Sequence, residues 1–418
     1  MISNSISLKK KEITNIDEFL EKYQYLSNLD LKHILNLDFE LDFYYKSEKI
    51  CPMVEIAKPE DSEEIANIFK EIYKRTYPYK HLEDNESIKD MIIHPNYEWF
   101  IFKSPANEIV GCFGTDLEFE EKRAFLHGFM IKKKFHKTID IFKAFIGCIT
   151  YLWKKYKDKI FLWYGEMRTN EAISQFFTSL IGMKPIAFLP NKDIFYSKVE
   201  SDILHVIYSK AVLNDYRFEE KPQIIRQVLN CYNYTNNRYH FGLPTVENPN
   251  ITLDQGKINI IRKSVRKKIK EDKFGYQNIK FSIWNKYSNF KFFLNPFSKN
   301  IEKINYNITD LEELYVFIEK LQEIIKEMDI NYAECYVSSY KPKHQKIFYN
   351  AGFRPRGYVP SWNYNKEVAK FEDQIVFNYF KGNLDKNMKI IPETNELLEN
   401  LNQPIEEDSF ESLVKFDQ

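Results

Sequence analysis

From residue 53 onward the apolar positions switch between a period of two and a period of about 3.6. VEIAKP reads as a short strand. PEDSEEIANIFKEIYKRTY reads as a helix opened by acids and Ser62, with Ile65, Ile68, Phe69 and Ile72 on one face. A second helix is predicted around ESIKDMI. Three strands follow, EWFIFKS, EIVGCFGTDLEF and RAFLHGFMI, separated by the turn Pro105–Asn107 and by the charged EEKR. Then come a helix from Ile139 to about Tyr156, the strand KIFLWYGEMR, the helix NEAISQFFTSL, and the strands AFLPNKDIFY and SDILHVIYS. The order βααβββαβαββ, with a meander of three strands inside it, predicts mixed α/β layers rather than a doubly wound sheet.

Further along, a helix is expected in KPQIIRQVLNCY, and KINIIRKSVRKKIKEDK reads as a basic helix with an apolar stripe at Ile258, Ile261, Val265 and Ile269. The strands KFSIWN, FKFFLNP and EKINYNI, the helix ITDLEELYVFIEKLQEII, the strand AECYVSS, the helix KPKHQKIFYNA and the strands GYVPSW and QIVFNYF complete the pattern. Residues before 53 read as short helices followed by FELDFYYKS, and the acidic stretch from Pro392 as a loosely docked tail.

The two parts of the chain repeat. FFTSLIGMKPIAFLP is matched by KIFYNAGFRPRGYVP: Gly182 and Gly352 each end a helix, with a base two residues on, Pro185 and Pro355 three on, and Pro190 and Pro360 eight on. Each is followed by acids leading into an apolar strand, Glu200 and Asp202 in one, Glu372 and Asp373 in the other.

With this order, the first half resembles the GNAT acyltransferase superfamily. VEIAKPEDSEEIANIF resembles its opening strand and first helix, and TNEAISQFFTSLIGMKP and KIFYNAGFRP its late helix. The resemblance implies an α/β (α+β mixed-sheet) fold with two GNAT-like domains in tandem, each a mixed central sheet flanked by helices. The expected organisation is an N-terminal helical extension over 1–52, domain 1 over 53–212, a connecting helical region over 213–275, a degenerate domain 2 over 276–385, and an acidic tail over 386–418. It also implies an acyl-CoA-dependent N-acyltransferase that moves an acetyl group to an amine on a small molecule or protein, with acetyl-CoA or another acyl-CoA as co-substrate and no metal. The family splays its fourth and fifth strands and seats the pyrophosphate on the turn and helix N-terminus that follow the fourth.

HGFMIKKKFHKTIDIFKAF lies on that turn. Residues Phe129, Met130, Ile131, Lys132, Lys133, His136, Lys137 and Thr138 are the expected cofactor contacts, with Thr138 as the cap of the helix; Asn170 and Phe177 join them from the late helix. Ile139 and Ile141 stand where the family has glycines, and Asp140 puts a negative charge in the first helical turn. The family's late-helix tyrosine is replaced by Phe176 or Phe177, and by Phe348 in the second half. His127 and Glu166, on the two strands that flank the splay, are the candidate bases, and Glu334 is expected to match Glu166 in the repeat. In the second half Asp310, Glu312 and Glu313 fill the corresponding helix start.

Composition narrows the alternatives. At 418 residues, 44% hydrophobic, the chain can bury more than one core. Lys+Arg and Asp+Glu are 60 each, which argues against nucleic acid as the main partner. The basic helix is read as a solvated face, and YVPSWNYN as aromatic lining at the junction of the halves. The five cysteines, Cys51, Cys112, Cys148, Cys231 and Cys335, show no CxxC spacing, which fits a reducing cytoplasm. No run approaches the ~18 apolar residues of a membrane span, so no membrane is expected, and a homodimer is compatible with the reading. Two alternatives stand beside acyl transfer: a non-catalytic tandem binding or scaffold protein, and a relative of tRNA-dependent aminoacyl transferases.

Overall fold

The computed structural model describes residues 12–24, 49–284 and 286–403. FELDFYYKS lies outside the described residues. The first half begins with β1 (Met53–Ile56), α2 (Ser62–Tyr73) and α3 (Asn85–Ile93), after the short α1 (Ile16–Lys22). It continues through β2 (Tyr97–Lys103), β3 (Ile109–Glu118), β4 (Arg123–Ile131), α4 (Ile141–Lys155), β5 (Leu162–Arg168), α5 (Ile173–Leu180), β6 (Lys184–Phe195) and β7 (Lys198–Tyr208). This is the element order read from the hydrophobic pattern. The sheet order is β1-β2-β3-β4-β5-β7-β6. Alternation sends Trp99, Ile101 and Cys112 to the face covered by α2 and α3, where Ile65 and Phe69 of α2 pack on them. Phe100, Phe102, Phe113 and Leu126 go to the face covered by α1 and α4.

Between the halves lie α6 (Lys210–Asn214), β8 (Gln223–Ile225), α7 (Leu229–Tyr239), β9 (Thr245–Glu247) and α8 (Gln255–Ser264). Two helix predictions shift here. The helix expected across KPQIIRQVLNCY starts only at Leu229, because Gln223–Ile225 pairs in parallel with Thr245–Glu247. The basic helix stops at Ser264, and Val265–Glu271 is β10, paired residue for residue with β11 (Gln277–Ile283). The apolar stripe belongs to two elements: Ile258 and Ile261 are buried by α8, whereas Ile269 is 46% exposed. β10 therefore belongs to the second sheet rather than to a helical connection.

The second half then runs β12 (Asn289–Asn295), β13 (Asn300–Asn307), α9 (Leu311–Glu327), β14 (Tyr332–Ser338), α10 (Pro342–Asn350), β15 (Arg354–Asn365) and β16 (Lys370–Phe380). Its sheet order, β10-β11-β12-β13-β14-β16-β15, is that of the first half. One pair of residues, Ala187 of β6 and Gly357 of β15, joins the two into a fourteen-stranded sheet. Gly182 and Gly352 each lie five residues before that pair, so the two halves meet at equivalent positions. A β-carbon on Gly357 would come 2.2 Å from the Ala187 β-carbon and 2.6 Å from the Ile186 carbonyl oxygen, so only glycine allows this contact.

Register corrects two correspondences. Ala187 pairs with Leu204 and Gly357 with Val376. Leu204 faces Glu166 and Val376 faces Tyr336, so Glu166 matches Tyr336, and Glu334 matches Tyr164. Likewise Asp193 pairs with Glu200 and Asn363 with Glu372, which makes Ser201, not Asp202, the counterpart of Asp373. The two-residue shift at Glu334 keeps the side chain on the same face, whereas the one-residue shift at Asp202 moves it to the other.

One difference between the halves is large. In the first, residues 57–96 between β1 and β2 carry α2 and α3; in the second, residues 272–276 turn β10 directly into β11. The tail also differs from expectation: α11 (Pro392–Asn402) docks, with Leu397 fully buried beside Phe188, Ile203 and Tyr234. Gln175 fixes the strap before it, donating to the Lys389 carbonyl (3.2 Å) and accepting from Thr394 Oγ1 (2.9 Å).

Candidate active site

β4 and β5 pair in parallel at only three positions, Arg123–Leu162, Ala124–Trp163 and Phe125–Tyr164, although both strands continue. A bulge between Cys112 and Gly114 and a left-handed Gly128 (φ 61°) keep β4 on β3 past this point. The strands part there.

His127 lies on β4 beyond the parting, on the face of α2 and α3. Its Nε2 is 2.8 Å from Asp116 Oδ1. The ring meets Trp99 edge-on (5.3 Å) and stacks on Phe125 (5.4 Å), which stacks on Tyr164 (5.0 Å). A β-carbon at Gly114 would stand 2.9 Å from both His127 and Trp99, so this glycine makes room for the imidazole. When neutral His127 donates Nε2–H to Asp116, its buried Nδ1, which has no partner among the described residues, keeps a lone pair. Burial works to raise the Asp116 carboxyl, but His127, Lys303 and His81 outweigh it and hold the group below its ordinary range. Burial pushes His81 down to about 4, so it is neutral at physiological pH.

Glu166 is placed differently. Left-handed Asn191 (φ 55°) and the bulge between Leu189 and Asp193 turn Lys192 of β6 inward. Lys192, 2% exposed, meets Glu166 (2.6 Å), Glu334 (3.4 Å) and Glu302 (3.9 Å). Burial acts to lower the Lys192 pKa, but Glu166, Glu334 and Glu302 overturn that and keep the ammonium charged. Tyr79 donates to Glu302 (2.7 Å) and Tyr332 to Glu334 (2.7 Å). Asp193 accepts from Ser298 Oγ (2.6 Å) and Asn300 Nδ2 (3.1 Å). Burial pushes the carboxyls of Asp193 and Glu334 up to about 7. Glu166 is thus held in an ion pair with Lys192 at the seam, whereas His127 presents an Nδ1 lone pair with no partner among the described residues.

The counterpart of Lys192 is Trp362, after left-handed Ser361 (φ 52°). It stacks on Tyr336 (4.8 Å), meets Tyr164 edge-on (4.8 Å), and lies under the Arg123 guanidinium (4.3 Å). Each hairpin tip therefore crosses into the other half, one with a cation among acids, the other with a ring among aromatics.

The turn after β4 is closed. Asp140 caps α4, accepting from the Phe142 amide (3.0 Å), so the helix starts two residues later than expected and Thr138 is not its cap. The Asp140 amide donates to the Ile50 carbonyl (2.8 Å), and those of Thr138 and Ile139 to the Phe135 carbonyl (3.0 Å each). His136 Nε2 turns back to the Ile131 carbonyl (2.9 Å). Lys132 pairs with Glu64, while Lys133, Lys137 and Asn170 are exposed. Met130 joins the core with Trp99, and Ile131 the core opposite. Phe129 packs on Phe145 (4.8 Å) and Phe177 (6.1 Å), and Phe177 on Phe142 (5.2 Å), filling the α4 face of the parting. Of the expected cofactor residues Phe129 and Phe177 meet, while Met130 and Ile131 point to opposite cores. With the Thr138, Ile139, Asp140 and Phe142 amides bonded and a carboxylate at the helix start, the turn does not fit a CoA pyrophosphate.

Asp116, Tyr79, Lys192 and Glu302 were missed in the sequence. For Asp116 and Lys192 the available signal was charge within an apolar strand, in GTDLEF and LPNKDIF.

No protein-family model and no curated protein matches the sequence. Solved structures are similar to part of it. They include a spermidine N-acetyltransferase chimera from Vibrio cholerae (13% identity, 39% of this chain, 99% of that chain, TM-score 0.32). A probable acetyltransferase from Staphylococcus epidermidis (14%, 38%, 99%, 0.32) and the ribosomal-protein-S5-alanine acetyltransferase from Vibrio fischeri (13%, 41%, 98%, 0.32) are further examples. At that overlap the description of the fold rests on the chain's own strand order and register. Among the described residues no helix is long and apolar enough to cross a membrane. The chain is a mixed α/β protein built on one large mixed sheet, with a histidine–carboxylate pair beside a parting of two parallel strands.

Proposed function

We propose that this chain is a duplicated GNAT-like protein whose first half carries out acyl transfer to an amine, with the second half forming one wall of the site. The observation that carries the reading is the His127–Asp116 pair beside the parting of β4 and β5. In this reading the amine attacks the acyl carbon and the C–S bond breaks; His127 Nδ1 takes the proton from the amine and returns it to the departing thiolate, while Asp116 fixes the tautomer and stabilises the imidazolium. Lys192, Glu302 and Tyr79 hold the two walls together. The second half has no counterpart of α2 and α3, and Asp310 and Glu313 cap α9, so it takes no donor itself. An acyl-CoA donor would need its phosphates anchored elsewhere than the turn over 132–140.

One observation favours a second reading. The closed turn with buried Asp140, together with the Phe129, Phe142 and Phe177 packing, suits a protein that binds without catalysing.

Assay of thiol release from acetyl-CoA against a panel of primary amines, alongside thermal shift, separates the two. Acyl transfer predicts turnover that falls at least about 100-fold in His127→Ala with the melting temperature retained. No turnover and no shift at millimolar acyl-CoA would leave the binding reading.

A further inference from the structure

The face of β10–β13 that points away from α9 is open to solvent. On it the register aligns Lys268 of β10 with Lys280 of β11, and Lys280 with Lys291 of β12. Arg266 and Lys270 flank Lys268 on the same face, and Lys303 sits at the β13 bulge (φ 55°). All six are exposed. None is engaged by a carboxylate among the described residues, whereas their neighbours Arg262, Lys273 and Lys286 are each paired, with Glu319, Asp84 and Glu313.

The equivalent face of the first half lies under α2 and α3. In the second half a five-residue turn, 272–276, replaces them, so nothing from this excursion covers the strands. Apart from half-buried Phe293, the positions between strands on this face are polar, with Asn278, Asn305 and Asn307 exposed. Trp284, 58% exposed, lies at the end of β11 with the Arg266 guanidinium 3.8 Å over its ring. The row also leads somewhere, because Lys303 acts electrostatically on both His81 and Asp116 of the candidate site.

We propose that this face binds single-stranded nucleic acid, the lysines meeting the phosphodiester backbone and the Arg266–Trp284 platform a base. The sheet lattice sets cations about 4.8 Å apart across strands and about 6.7 Å apart along them. Such a two-dimensional array suits a chain of phosphates better than one compact anion. Asparagines beside it supply donors and acceptors for sugar and base, and an exposed indole supplies a stacking surface. A membrane-binding face would instead need several apolar side chains beside the cations. The proposal goes beyond acyl transfer, and its test uses neither donor nor acceptor.

The test is fluorescence anisotropy of the full chain with a labelled oligouridylate of about 20 nucleotides, with oligothymidylate in a parallel arm to separate RNA from DNA. Binding should weaken steeply between about 50 and about 200 mM salt. Lys280→Gln/Lys291→Gln should weaken binding at least tenfold and reduce the log–log salt slope by roughly 1.4, about 0.7 for each lost contact. Lys326→Gln/Lys343→Gln, away from this face, should leave both unchanged. Melting temperatures report whether the variants fold, and Lys268→Gln replaces the pair if they do not. Absence of binding to both oligonucleotides, or equal loss in the Lys326/Lys343 control, overturns the proposal. So does capture by phosphatidylglycerol vesicles without oligonucleotide binding.

Discussion

Asp193 sits fully inside the seam beside Glu302 and near Lys192, and burial lifts its carboxyl to about 7 against roughly 4 in an unfolded chain. Between those values the folded state holds a proton that the unfolded chain has released. Its contribution to stability is therefore present at acid pH and is lost as pH rises through 7. Asp193→Asn removes this dependence while keeping much of the hydrogen bonding. The urea-unfolding stability of wild type minus variant should fall by on the order of 2 kcal/mol from pH 5 to pH 8. A flat difference would mean that Asp193 is ionised throughout. At this scale the sequence was partly legible. His127 could be singled out because a histidine interrupts an apolar strand at the expected parting. Glu166 could be singled out too, but its role could not be read, because Lys192 reaches it only through a left-handed residue and a bulge. Neither device leaves a mark in the hydrophobic pattern.

Among the elements, α4 decides whether a phosphate has a place to bind. Its buried cap, Asp140, satisfies the Phe142 amide and carries a negative charge where the helix dipole would otherwise attract an anion. Asp140→Asn keeps a capping oxygen and removes the charge, so stability should change by less than about 1 kcal/mol. If the turn opens for a donor, affinity for acetyl-CoA in isothermal titration should rise several-fold; unchanged affinity would show that phosphates do not approach this helix. The pattern gave the helix and its basic turn, and even the misplaced acid, yet not the first helical residue. A similar ambiguity misassigned VRKKIKE. Alternating Val265, Lys267 and Ile269 fits a strand as well as a helical stripe, and a charged edge strand carries little hydrophobic signal. What decides is a neighbour: β11 offers a complete ladder, and α8 has no further apolar face to bury.

For the whole molecule, the Ala187–Gly357 pair is the point where two like sheets become one. Gly357→Val would force the β-carbons apart and separate β15 from β6 within the buried cluster that Ile186 and Ala187 share with Val359 and Val376. Calorimetry should then show two unfolding transitions in place of one, or a destabilisation of at least about 2 kcal/mol. A single transition at the wild-type temperature would mean that the hairpin tips, not this pair, hold the halves.

The sequence by itself determined the strand and helix order of the first half, because that order follows from local periodicity; the matched Gly–Pro spacing suggested a repeat, and where two strands would part was an expectation from the family resemblance. Only the tertiary structure decided how the halves are used. It set Lys192 among three carboxylates from both halves, spent amides of the basic turn on Ile50 and Phe135, and, among the described residues, left one sheet face without the helices that cover its equivalent. It also sorted a balanced set of charges into an acidic seam and a basic row that no carboxylate engages among the described residues. Net charge is a sum over the chain and carries no positions, whereas register and burial assign each charge its neighbours.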